Sequence, residues 1–260
     1  MQTTRPSIAV IFLYSLIVLC FSGCSKPTPP PGSKVDGAVR GEWTSERSYS
    51  NTFFGVSINI PSEWNLIKGD EKNWEYTLKG IENITGRNQS VRNSYRTKYA
   101  EIHIPVRVLF EDEENTAKNP NLVVMIENIE AKPLVKTGAD FLNAMDQTMN
   151  ASPLFPAFDG PASEIKLNGI DFWTRTSRLD IKGGESLLFS GARGLTVHQQ
   201  GYSMVKGHYA LTILRTWFSS RDDPTSKLVD ENLTALLPSV AQRNAGQPAP
   251  PIESKRESKE

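Results

Sequence analysis

The sequence has no excess of charge of either sign. Its 260 residues include 29 basic and 29 acidic side chains, which gives a formal net charge of +0. Nucleic-acid binding proteins normally carry a basic excess that meets the phosphate backbone. The charge balance therefore gives no reason to expect a nucleic-acid partner.

Recognisable catalytic motifs are also missing. Ser190 in "LFSGARG" lacks the Gly-x-Ser-x-Gly elbow of a serine hydrolase, and "KGGES" at residues 182–186 is not a phosphate-binding loop. The four acids of "EDEE", residues 111–114, lack the alternating ligand positions of a calcium loop. A turn explains the glycines, and a solvated loop explains the acids.

Histidine is scarce, at three residues, which limits metal and acid–base chemistry. His103 lies in an alternating strand, opposite in phase to its apolar neighbours. His198 and His208 lie on two strands of a predicted hairpin, where they could be neighbours, but no third ligand has the spacing of a known site. The sequence predicts no catalytic residue, no metal site, no cofactor and no enzymatic activity.

Cysteine is the scarcest residue of all, and both copies lie near the start of the chain. Residues 1–7 are polar with one positive side chain, and residues 8–22 form an uncharged run. Fifteen residues are short for a membrane-spanning helix, which needs about 20. A charged start, a short apolar core and small residues at its end indicate a secretory signal peptide.

The end of this run, "FSGC", resembles the lipobox of bacterial lipoproteins. Ser22 and Gly23 precede Cys24, whereas Cys20 follows the bulky Leu19. The resemblance implies that residues 1–23 are removed and that Cys24 becomes the lipidated first residue, joined to the membrane. No thiol then remains for a disulfide. Ser25, in place of Asp, follows the cysteine, and this resembles the pattern of lipoproteins sorted to the outer membrane. The protein would then face either the periplasm or the cell surface.

Composition divides the rest of the chain into three parts. Residues 24–42 carry four prolines and are predicted to form an extended linker, able to reach roughly 50 Å. Residues 43–240 are predicted to form one globular domain. Residues 241–260 mix prolines with alternating charges and are predicted to be disordered.

Periodicity within the domain predicts strands and two helices. "FGVSINIP", "AEIHIPVRVLF" and "NLVVMIENI" read as strands, and Pro105 predicts an edge or a bulge in the second. Thr137 and Asp140 form a capping box before a helix. "DDPTSKLVDENLTALLPSV" predicts a closing helix with an apolar stripe from Leu228 to Leu237. The predicted class is α+β, with an antiparallel sheet flanked by helices.

The stretch "YSNTFFGVSINIPSEW", Tyr49 to Trp64, resembles the opening of the PsbP-like superfamily. Its distinctive part is a strand that ends in Pro61-x-x-Trp64, and the resemblance covers residues 43–240. It implies an α/β/α sandwich and a mostly non-catalytic role in binding or assembly. The polar stretch from Gly80 to Tyr99 departs from a minimal version of that fold.

Part of that stretch is a candidate partner-binding segment, residues 86–99. It carries no acid, and arginine and tyrosine are enriched at interface centres. An envelope protein or an anionic envelope component would suit it as a partner, but a solvated loop is the favoured explanation, because long polar loops are common. The candidate residues are Arg87, Arg92, Tyr95, Arg96 and Tyr99.

Three functions are compatible with these observations. The first is a membrane-anchored lipoprotein with a non-catalytic binding or assembly role in the cell envelope. The second is a carrier or sensor of a small apolar or anionic ligand held between sheet and helix. The third, an envelope hydrolase, has only the histidines in its favour.

Overall fold

The computed structural model describes residues 30–85, 100–110, 119–150, 158–180, 196–218 and 222–236. Within these ranges the helices are α1 (Asp70–Thr85), α2 (Gly138–Asn150) and α3 (Thr225–Asn232). The strands are β1 (Glu42–Trp43), β2 (Ser48–Asn51), β3 (Val56–Asn59), β4 (Asn65–Lys68), β5 (Ile102–Leu109), β6 (Asn121–Asn128), β7 (Phe158–Leu167), β8 (Ile170–Asp180), β9 (Thr196–Lys206), β10 (Tyr209–Phe218) and β11 (Leu233–Ala235).

The strands form two antiparallel sheets. The large sheet has the order β4-β5-β6-β10-β9-β8-β7, and the small sheet has the order β1-β2-β3-β11. The predicted α+β class with an antiparallel sheet is confirmed. The second sheet was not foreseen, because its strands are only two to four residues long.

The large sheet is covered on both faces. One face packs against the small sheet and α3, where Ile58 and Leu228 join Val108 and Leu211 in the main core. The other face packs against α1 and α2. Strands β5, β6 and β10 are therefore apolar on both sides, which is the pattern expected of a sheet interior.

Strand β5 changes face at a bulge. The pairing of β5 with β6 shifts register between His103 and Val106, so the predicted irregularity at Pro105 is a bulge and not an edge. Ile104 packs with α1, whereas Val106 and Val108 belong to the main core. The expectation that all of the strand's alternating apolar residues share one face was wrong, because the extra residue reverses the phase.

Helix α1 was not predicted from the sequence. Most of its positions are polar, so no apolar stripe marks it in the sequence. Among its described side chains, Trp74 and Leu78 pack on the sheet, and Tyr76 packs with Ile67 and Leu109. Helix α2 begins as predicted. The Asp140 N–H donates to Thr137 Oγ1 at 3.1 Å, and the Thr137 N–H donates to Asp140 Oδ2 at 2.8 Å. The N–H groups of Lys136 and Thr137 hold the pKa of Asp140 below its usual range.

The closing helix is shorter than predicted. Helix α3 ends at Asn232, and Leu233 adopts an extended backbone (φ −81°, ψ 123°) that starts β11. Strand β11 pairs with β3, where Leu233 lies opposite Ile58. The predicted helical stripe was wrong after Val229, because the chain there pairs with the edge of β3 instead of continuing the helix.

Part of the predicted linker is folded onto the domain. Val35 and Val39 are 2% and 4% exposed and belong to the main core. The Lys34 N–H donates to the Ala100 carbonyl at 2.7 Å, and Asn128 Nδ2 donates to the Lys34 carbonyl at 2.9 Å. We call residues 30–41 the N-terminal segment. The linker prediction fails here because two valines four residues apart provide enough apolar area to anchor the segment.

Replacing Val35 by alanine tests whether the N-terminal segment contributes to folding. We expect Val35→Ala to lower the free energy of unfolding by about 2 kcal/mol, because a buried side chain leaves a cavity. Lys34→Ala is the matched control, since the Lys34 side chain is 58% exposed and its ion pair with Glu101 contributes little. Denaturant unfolding that shows equal stability for both variants would contradict the assignment.

Candidate functional site

The residues predicted to carry the lipid and the partner lie outside the described ranges. No contact can therefore be assigned to them, and their roles stay predictions. They are Cys24, Arg87, Arg92, Tyr95, Arg96 and Tyr99.

The three histidines do not converge. His198 pairs with Trp217 near one end of the β9–β10 hairpin, whereas His208 lies in its turn at the other end. Nine residues of strand separate the two ends of β10, or roughly 30 Å. The expectation that His198 and His208 could be neighbours was wrong. In the described part of the chain, no three His, Cys, Asp or Glu side chains could hold a metal ion together.

His103 joins three elements. Its Nδ1 lies 2.8 Å from Asp70 Oδ2, at the start of α1, and its Nε2 lies 3.2 Å from the Arg40 carbonyl. Asp70 Oδ1 also accepts the N–H of Ile104 at 2.5 Å. Each ring nitrogen of His103 thus lies against an oxygen atom of another element, so the side chain connects β5 to α1 and to the N-terminal segment.

Gly32 makes this joint possible. Its φ is +66°, and a Cβ atom at this position would lie 2.5 Å from Asp70 Oδ2. A side chain at residue 32 would therefore clash with the carboxylate and strain the backbone. Arg40 then fixes the segment by donating to the carbonyls of Gly32 at 2.6 Å and Val35 at 3.0 Å.

Arg107 fixes α1 to the large sheet from within. It is 8% exposed, donates to Asn73 Oδ1 at 3.2 Å and to Thr77 Oγ1 at 2.7 Å, and lies over the Tyr76 ring. Burial lowers the pKa of Arg107 to about 10, so the guanidinium remains charged at neutral pH. Its donors satisfy side chains of α1, which indicates a structural role.

A partly exposed group of polar and aromatic side chains lies at the opposite end of the large sheet from the N-terminal segment. Strand pairing aligns these side chains across β8, β9 and β10 on one face. We call the group the distal surface; it comprises Arg178, His198, Gln200, Arg215 and Trp217.

Aromatic stacking organises the distal surface. The rings of His198 and Trp217 are 5.2 Å apart and inclined by 13°. The Arg215 guanidinium lies 4.9 Å from the centre of the Trp217 ring and 5.6 Å from that of Tyr202. Burial of Tyr202 raises its pKa to about 12, so the phenol stays neutral under all ordinary conditions.

Hydrogen bonds and ion pairs hold the arginines of this surface. Arg215 Nη1 lies 3.2 Å from Asp223 Oδ2, and Nη2 donates to Gln200 Oε1. Gln200 Nε2 in turn donates to Thr174 Oγ1 at 3.1 Å. Arg178 pairs with Asp180 in the more exposed part of the surface. The result is a preorganised surface whose charges are largely compensated.

This arrangement suits binding. Tryptophan and arginine dominate the energetic centres of protein interfaces, and a side chain already fixed loses little entropy on association. The sequence contained a usable signal for it. Counting outward from the turn at Gly207 places His198 opposite Trp217 and Gln200 opposite Arg215.

Two buried polar atoms lie on the other face of the same strands. Ser177 Oγ and Gln199 Oε1 have no hydrogen-bond partner in the part of the chain that the structure describes. Ser177 and Gln199 are paired across β8 and β9, and Gln199 Nε2 donates to Thr216 Oγ1 at 3.3 Å. Unpartnered buried groups are costly, so this position favours an additional polar molecule.

A double-mutant cycle tests the preorganisation of Arg215. We expect Arg215→Ala and Asp223→Ala to couple by about 1–3 kcal/mol in the free energy of unfolding, because both side chains are mostly buried (13% and 18% exposed). Arg178 and Asp180, 58% and 51% exposed, form the matched control, with a coupling below about 0.5 kcal/mol. Equal couplings in denaturant unfolding would contradict the account.

Several solved structures are similar to this chain. Cyanobacterial PsbP (CyanoP) from Synechocystis sp. PCC 6803 is 17% identical, with a TM-score of 0.40, covering 73% of this chain and 91% of that protein. LpqN of Mycobacterium tuberculosis, described as involved in cell envelope biogenesis, is 12% identical, with a TM-score of 0.37, covering 70% and 83%. A Bacteroides thetaiotaomicron protein is 12% identical, with a TM-score of 0.33, covering 74% and 48%.

Sequence comparisons found no match. No family model matches this chain, and no curated protein does. The likeness to CyanoP and to LpqN is therefore a likeness of structure.

Proposed function

We propose that this chain is an exported lipoprotein, anchored through Cys24, that has a non-catalytic binding role in the cell envelope. Its partner is an envelope protein or an anionic envelope component, and the distal surface carries the contact. The observation that supports this most directly is that the N-terminal segment and the distal surface lie at opposite ends of the large sheet. The N-terminal segment joins the large sheet at one end, and the aromatic distal surface lies at the other.

The number of residues between Cys24 and the start of the described structure supports the anchoring arrangement. Six peptide units separate Cys24 from Pro30, where the described structure begins. They span at most about 20 Å, which is less than half of the reach predicted for an extended linker. The anchor thus connects to the end of the domain that is remote from the distal surface. Within the described ranges, no helix has the length and apolar character needed to cross a bilayer.

The state of the acid–base side chains favours binding over catalysis. Both ring nitrogens of His103 are engaged, and His198 is stacked on Trp217. The carboxylate of Asp223 is held by Arg215 and by the N–H of Thr225 at 3.0 Å. His198 and Asp223 thus help to hold the distal surface together, and His103 helps to hold the N-terminal segment and α1 against β5.

A second candidate function is supported by the two unpartnered polar atoms. A carrier or sensor of a small ligand would place a hydrogen-bonding group against Ser177 Oγ and Gln199 Oε1, between the large sheet and α2. A buried water would satisfy the same atoms. Native mass spectrometry of the processed chain separates the two, because a retained organic molecule adds a distinct mass.

Lipidation is tested at the cysteine itself. We expect Cys24→Ala to leave unprocessed precursor and to abolish incorporation of labelled palmitate, because the thiol is the point of attachment. Cys20→Ala is the matched control and should be processed and labelled normally. Labelling that persists in Cys24→Ala would contradict the assignment of the anchor.

Crosslinking of the full chain in its source cells tests the binding surface. We expect Trp217→Ala to reduce recovery of the crosslinked partner about tenfold or more, since loss of a central tryptophan typically has this effect. Phe53→Ala is the matched control, because the aromatic ring of Phe53 packs against Tyr209, at the opposite end of the large sheet from Trp217.

The same experiment evaluates the arginine-rich segment. If the double variant Arg92→Glu, Arg96→Glu loses the partner while Trp217→Ala retains it, residues 86–99 and not the distal surface carry the contact. A partner set unchanged by either substitution would contradict a binding role for both regions.

A further inference from the structure

We propose that the end of the domain next to the N-terminal segment rests on the lipid surface, with Leu134 inserted between the headgroups. The inference builds on the proposed anchoring of Cys24 and adds a second, non-covalent contact with the bilayer. We call the docking residues the proximal surface; they are Lys34, Leu134, Lys136, Lys206 and His208.

Leu134 is the side chain that calls for an explanation. It is 88% exposed, and within the described ranges Phe110, at 47%, is the only other exposed large apolar side chain. Phe110 is partly covered by Trp64, with ring centres 5.5 Å apart. Burying a leucine stabilises a contact by about 1.5–3 kcal/mol, which Leu134 does not obtain within its own fold.

A tight turn presents Leu134. The Val135 N–H donates to the Lys132 carbonyl at 3.0 Å, which places Pro133 and Leu134 at the two central positions of the turn. Leu134 has a negative φ, as in a type I turn, which favours proline at its first central position and accepts most residues at its second. Turn geometry therefore does not select a leucine there.

The turn is held at both ends. Val135 is 9% exposed and packs with Phe141 of α2, and the Lys132 N–H donates to the Ile129 carbonyl at 2.8 Å. A leucine fixed in an exposed position loses little conformational entropy when it enters another phase.

Hydrogen bonds place this turn beside the entry point of the N-terminal segment. Asn128 Nδ2 donates to the Lys34 carbonyl, and the next residue, Ile129, donates its N–H to the His208 carbonyl at 2.8 Å. The Leu134 turn, the β9–β10 hairpin turn and the segment that leads to Cys24 therefore share one end of the domain.

Charge makes a smaller contribution at this end. Lys34 and Lys132 are paired with Glu101 and Glu127. Lys136 is exposed, and Lys206 Nζ donates to the Phe53 carbonyl at 2.5 Å.

Neither Lys136 nor Lys206 forms an ion pair with a described carboxylate, while Glu130 and Asp36 are exposed nearby. The two lysines can meet lipid phosphates, but the compensated charge leaves insertion of Leu134 as the main driving force.

The small number of residues between Cys24 and the domain makes a weak contact sufficient. A contact linked to an anchor by so few residues has an effective concentration in the millimolar range, so it orients an anchored protein even when it is too weak to recruit a free one. Docking would keep the distal surface on the side of the domain that faces away from the bilayer.

Site-specific fluorescence tests the proposal. The full chain, processed and lipidated, is reconstituted into vesicles of phosphatidylethanolamine and phosphatidylglycerol. Cys20 is then removed with the signal peptide and the Cys24 sulfur carries the diacylglyceryl group, so Leu134→Cys can carry a single environment-sensitive dye. We expect a blue-shifted emission and strong quenching by nitroxide-labelled lipids. Thr176→Cys, exposed at the distal end, is the matched control and should show neither.

Vesicle flotation is measured first and separates two failures. Protein that does not float would overturn the anchor, and docking with it. Protein that floats but shows equal, weak quenching at residues 134 and 176 would overturn docking alone.

A second variant avoids reliance on the dye at residue 134. With a label on Lys136→Cys, the added change Leu134→Ser should lower the docked-to-undocked ratio about tenfold at unchanged thermal stability. An unchanged ratio would overturn the role of Leu134.

Discussion

The carboxylate of Asp70 is the contact on which the arrangement of the domain depends. It receives the His103 ring and the Ile104 N–H from β5, and it sits at the N-terminus of α1, where a negative charge is favourable. The Nε2 atom of His103 in turn contacts the Arg40 carbonyl. One carboxylate thus connects α1 to the large sheet directly and, through His103, to the N-terminal segment at the end of the domain where that segment packs.

Several elements could be predicted from local pattern because their residues face a single environment. The strand with Val56, Ile58 and Ile60 is buried on one side, so strict alternation identified it correctly. The capping box of Thr137 and Asp140 was equally legible, because all of its contacts lie within four residues. The sequence pattern was sufficient to predict an element where the interacting residues are close together in the sequence.

The errors arose where distant parts of the chain decide the outcome. The bulge near Pro105 reverses a face, and its position depends on the pairing with β6. Leu233 leaves the helix because it pairs at the edge of β3 with Ile58, 175 positions earlier. The joint of Asp70 and His103 spans 33 positions and has no local signature. Part of the distal surface could have been predicted from the sequence, since the register of the hairpin alone places His198 beside Trp217.

Hydrogen–deuterium exchange of the full chain tests the central claim most directly, namely that the N-terminal segment is an integral part of the fold. The N–H groups of Lys34, Val35 and Val39 donate to carbonyls at 2.7, 2.9 and 3.0 Å. The account predicts that these amides exchange as slowly as those of β5, because they open only with the domain. Exchange at the rate of an unstructured chain, with β5 still protected, would show that the segment is a free tether and would contradict the account.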